Sequence, residues 1–86
     1  MKQRYAYPAI FVQIPGAKYL ITFPDLNIST EAAGNDTALI SAIESLECAI
    51  IVMLSRGEKL PDPTPIENIK VNDNERVMLI EAYVLV

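Results

Sequence analysis

Eighty-six residues are enough for one compact domain, and a chain of this size buries only about 60–65% of the surface its unfolded form exposes. Hydrophobic residues make up 51% and charged residues 21%, more apolar surface than a small monomer hides, so a homo-oligomer is expected. Eleven acids against seven bases give a net charge of −4, and the bases (Lys2, Arg4, Lys18, Arg56, Lys59, Lys70, Arg76) are scattered, which excludes the clustered cations a phosphate backbone requires.

In chain order, residues 5–14 alternate with a period of two and are apolar on both faces, as in a strand covered on two sides. Pro8 cannot donate a ladder hydrogen bond, so its side of the strand must be an edge or a bulge. Residues 18–24 repeat the alternation. Pro15 and Gly16 between the two runs have the residue types of a tight turn, so the two strands form a hairpin. A weaker third strand is expected at 27–33, after Pro24 and Asp25.

Gly34, Asn35 and Asp36 are candidate caps for a helix over about 35–56. Leu39, Ile43, Leu46, Ile50 and Met53 or Leu54 recur at steps of three and four, which predicts that they face the core. Gly57 is placed to end the helix. Pro61, Pro63 and Pro65 keep a connector at 58–66 extended, and Asn72, Asp73 and Asn74 turn the chain into a last strand at about 76–85. The expected fold is α+β, of order β-β-β-α-β, with one helix on one face of a small, mainly antiparallel sheet and residues 1–86 as a single domain.

Little in the chain supports catalysis. It has no histidine, the commonest general base and metal ligand. Cys48 is the only cysteine and is expected to be a small buried core residue. With no partner for a disulfide, a cytoplasmic setting fits. The longest uninterrupted apolar run, residues 49–54, is far short of the roughly 20 needed to span a bilayer, so no membrane association is expected. The three glycines mark element boundaries and cradle no phosphate. No metal or other cofactor is expected. A metal-dependent hydrolase using Asp25, Glu31 and Asp36 is one alternative. A structural or small-ligand-binding oligomer, with a pocket formed by Tyr5, Tyr7 and Phe11, is another.

The segments YPAIF (7–11), YLITFPDL (19–26), ALISAIESL (38–46) and GEKLPDPTP (57–65), in this order and spacing, resemble the HicB antitoxin family. The resemblance implies a partial ribonuclease H-like domain that is no enzyme and that binds and masks HicA, a small toxin cleaving messenger RNA. Family members commonly continue into a carboxyl-terminal DNA-binding domain. This sequence ends at Val86, so no direct nucleic-acid binding is expected of the chain alone. Tyr19, Asp25, Glu31 and Asp36 are the candidate contacts to a HicA-like toxin. Ile51, Val52, Met78, Ile80 and Val84 are the candidates for self-association.

Overall fold

The computed structural model describes residues 1–85. Strands β1 (Lys2–Ile14), β2 (Lys18–Phe23) and β3 (Ile28–Ala33) lead into helix α1 (Asn35–Ser55). An extended connector with a single turn of 3-10 helix at Ile66–Asn68 then leads to β4 (Glu75–Leu85). The element order is the expected β-β-β-α-β. The four strands form one antiparallel sheet in the order β3-β2-β1-β4, so the last strand lies beside the first.

The β1–β2 ladder runs from Ile14↔Lys18 to Ile10↔Thr22 and stops there. From Ala9 back to Lys2, β1 pairs with β4 alone. Pro8 falls in this second half, where only one neighbouring strand remains, the condition under which a sheet tolerates a residue without an N–H. Between β1 and β2 the chain turns through Gly16 and Ala17, both at positive φ.

Strand alternation places Tyr7, Ala9, Ile21, Phe23, Ala32, Ile80, Ala82 and Val84 beneath the helix, and all are buried. Against them α1 sets Ala38, Ala42, Leu46 and Ile50, one stripe at four-residue spacing. Two of these four are alanines, so the helix approaches the sheet closely and the volume between them is filled by Phe23, Ile21 and Ile80. This corrects the expected core face. Leu39 and Leu54 remain exposed, because the buried stripe is turned onto the small residues Ala38 and Ala42.

Helix α1 starts from Gly34, whose φ of 79° and ψ of 170° lie in a region open almost only to glycine. Neither Asn35 nor Asp36 caps it with a side chain: both lie inside the first turn, and Thr37 donates its hydroxyl back to the carbonyl of Ala33. At the other end Gly57, at φ 71°, lets its own N–H reach the carbonyl of Leu54 and that of Glu58 reach the carbonyl of Met53, the paired bonds of a Schellman cap.

By length and composition alone α1 is apolar enough to cross a membrane, with a mean hydropathy of 1.9. In this fold it lies across the sheet, with Asp36, Glu44 and Glu47 on its other side.

Candidate partner-binding face

The four residues expected to contact a toxin do not converge. Tyr19 is half-buried on the helix side of β2, at the end of the domain where the helix begins. Asp36 is exposed in the first turn of α1, at that same end. Glu31 stands opposite Leu20 and so projects from the face of the sheet turned away from the helix.

Asp25 lies at the other end of the sheet and is engaged within the fold. Its carboxylate accepts the backbone N–H of Thr64 at 2.9 Å and the Thr64 hydroxyl at 2.5 Å. Proline-rich sequence around Thr64 has few backbone donors to spare, so this carboxylate ties the connector to the β2–β3 turn. A second tie comes from Tyr7, whose hydroxyl donates to the carbonyl of Pro61 at 2.5 Å. Burial, and next the negative charges of Asp25 and Asp62, push the Tyr7 phenol above its ordinary value.

With Asp25 and Asp36 at opposite ends and Glu31 on the far face, the three acids of the hydrolase reading cannot share an ion. Among the described residues no three acidic, cysteine or histidine side chains are grouped to hold a metal. The aromatic pocket is core instead: Tyr7 is buried, and Tyr5 and Phe11 pack half-buried against it.

Of the residues expected in self-association, Ile80 and Val84 are buried at 1% and 5% exposure beneath α1. They belong to the core of the single chain, since even-numbered positions of β4 point at the helix. Met78, on the same face but past the helix start, is half exposed, as are Ile51 and Val52 on α1. Cys48 is exposed, contrary to expectation, because it falls on the outward half of the helix.

The outward half of α1 carries an ordered pattern that the sequence reading passed over. Asp36, Ile40, Glu44, Glu47 and Ile51 follow one another at steps of four, four, three and four, so they form a single stripe opposite the buried one. Ile40 and Ile51 are 57% and 52% exposed. The helix contains no lysine or arginine, so the stripe is uniformly acidic with isoleucines between its charges. The signal was available as a second, outward period of the same helix.

Together these features define an α+β domain with a tied-down connector and a large apolar and acidic exposed surface. No protein-family model matches the sequence, and no curated protein does. The fold is similar to that of a chain in a toxin–antitoxin complex from Streptococcus pneumoniae. That likeness has a TM-score of 0.82 at 20% identity, over 93% of this chain and 69% of the other.

Proposed function

We propose that the chain is the antitoxin-like member of a type II toxin–antitoxin pair, a HicB-like domain that binds a HicA-like messenger-RNA-cleaving toxin in the cytoplasm and masks it sterically. The observation that carries this reading is the fold likeness over nearly the whole chain to a component of a toxin–antitoxin complex. The ordered HicB-like segments of the sequence support the antitoxin side of that pair. So does the dispersal of Asp25, Glu31 and Asp36, which leaves the chain's own acids without a common centre for phosphodiester chemistry.

The contact face we propose is the outward stripe of α1. A toxin that grips RNA presents a basic surface, and a row of carboxylates complements it, speeding encounter and selecting the partner. Ile40 and Ile51 supply apolar anchors at the centre of such an interface. Asp36 retains its expected role, and Tyr19 lies at the same end of the domain. Asp25 serves the connector instead, and Glu31 faces away.

The test is reconstitution with the small protein encoded beside this chain's gene. Co-purification as one complex, with ribonuclease activity abolished by equimolar chain, is the expected result. Full ribonuclease activity in excess chain, with no complex on gel filtration, overturns the proposal. The double charge reversal Glu44→Lys, Glu47→Lys is expected to slow association by about tenfold or more at low salt.

A further inference from the structure

The sheet has two edges, and they are built differently. The β3 edge is short, six residues reading ISTEAA, with Ser29 and Glu31 exposed. The β4 edge is eleven residues long, reads ERVMLIEAYVL, and contains no lysine, proline or glycine. Of the usual devices that stop a bare strand from pairing with another chain it therefore carries only the charges of Glu75, Arg76 and Glu81, which leave residues 77–80 and 82–85 uncharged. The connector does not cover it with backbone bonds: among the described residues, its one main-chain bond to β4 is that of Glu75 to Asn72, within the entering turn. Beyond Glu75, and among the described residues, the outward N–H and C=O groups along this strand of roughly 36 Å have no main-chain partner, although the 3-10 turn at Ile66–Asn68 packs near it.

Side chains make the same edge apolar on both faces. On the face away from the helix, Leu79, Tyr83 and Leu85 are 43%, 52% and 72% exposed. On the helix side Met78 is half exposed, and Leu39 lies beside it in an open groove at the helix start.

We infer that β4 pairs antiparallel with β4 of a second copy, about a twofold axis at Ile80, joining two four-stranded sheets into one continuous sheet. The register follows from length and charge. A twofold antiparallel pair keeps each residue on its own face, so opposed positions must sum to an even number. Centring on Ile80 sets all eleven residues against eleven, Glu75 opposite Leu85 at the ends. In this register Val77 meets Tyr83, a favourable β-branched and aromatic pair, and Glu81 meets Leu79. Centring on Glu81 opposes that acid to itself, and centring on Met78 opposes Glu75 to Glu81, so both set like charges face to face.

A second copy is the occupant because the edge is complementary to itself at full length. The ladder alone falls short of the about 800 Å² per partner of a stable interface, and the five exposed apolar side chains flanking it add to that area. The inference is independent of toxin binding, which uses the outward stripe of α1.

Sedimentation velocity of the full chain at micromolar concentration, with two variants of one position, tests both the dimer and its register. Wild type is expected at twice its 9.5 kDa mass. Leu79→Glu places acid against Glu81 of the second copy twice per dimer and is expected to raise the dissociation constant by roughly tenfold or more. Leu79→Lys places a cation there and is expected to keep the dimer. Circular dichroism of both variants verifies that they stay folded, since Leu79 is outside the core. A monomeric wild type, including one that associates only with a toxin, overturns the proposal, as does a Leu79→Glu variant that dimerises like wild type. Loss of the dimer in Leu79→Lys to the same extent as in Leu79→Glu overturns the register.

Discussion

Replacing Asp25 by alanine removes one side chain that holds two parts of the chain 39 residues apart. Its carboxylate takes two hydrogen bonds from Thr64, one from the backbone and one from the hydroxyl. A bond to a charged group contributes about 1.5–3 kcal/mol, and a half-buried site with one carboxylate serving both bonds falls at the low end, so the combined loss is about 2 kcal/mol. Against the roughly 4–13 kcal/mol expected for a domain of this length, that is a substantial fraction. For a small domain it corresponds to a fall in Tm of about 8–16 °C. Thermal and urea unfolding followed by circular dichroism measure it directly. Thr64→Val keeps the backbone bond and loses the hydroxyl, so it is expected to cost about half as much. The double variant is expected to fall short of the sum, because both changes break the same link. An Asp25→Ala protein that melts within about 2 °C of wild type refutes the view that this carboxylate holds the connector.

Tyr7 is expected to ionise above the ordinary tyrosine value in an alkaline absorbance titration, and Tyr7→Phe to delete that late phase. Because its folded value lies above the unfolded value of about 10, its contribution to stability is complete below that pH and is lost as pH rises through the folded value; stability unchanged across this window contradicts the assignment. Ala42→Leu forces a larger side chain between α1 and the sheet at a fully buried site and is expected to cost about 1–3 kcal/mol in urea unfolding, whereas a loose interface would accept it without loss. Gly34→Ala puts a Cβ on backbone that only glycine adopts easily, so a loss of about 1–3 kcal/mol is expected although the space around it is open. An alanine variant as stable as wild type means that the helix start relaxes at no cost.

The hairpin, the helix and the two turns that bound it were legible because their signals are local: alternation in residues 5–14 and 18–24, and glycines at 16, 34 and 57. The helix's inward face was misread because periodicity weighs large side chains, whereas close packing on a sheet selects small ones. Leu39 fits the pattern as well as Ala38 does, and only the approach of Phe23 and Ile21 decides between them. Ile80 and Val84 show the same limit in a strand: β4 is apolar at almost every position, so its sequence does not say which parity turns inward. Asp25 had the residue type of a turn former, and its actual bond reaches a residue that no local pattern connects with it. The outward stripe of α1 was readable in principle, since its spacing is as regular as that of the buried one.

The pairing of the first strand with the last has a consequence in time. Lys2 meets Leu85 across 83 positions (85 − 2), whereas the β1–β2 hairpin closes Ile14 on Lys18 across four (18 − 14). By loop entropy alone the longer closure costs about 2.7 kcal/mol more, so hairpin, third strand and helix gather first and β4 docks onto a nearly finished layer. On the ribosome, β1 lacks its β4 neighbour, and residues 2–9 have no neighbouring strand at all, until residue 85 has cleared the exit tunnel. A chain stalled anywhere in β4 lacks Ile80, Ala82 or Val84 beneath the helix and cannot complete its core. The domain can therefore reach its folded state only after synthesis has run to the end of that strand.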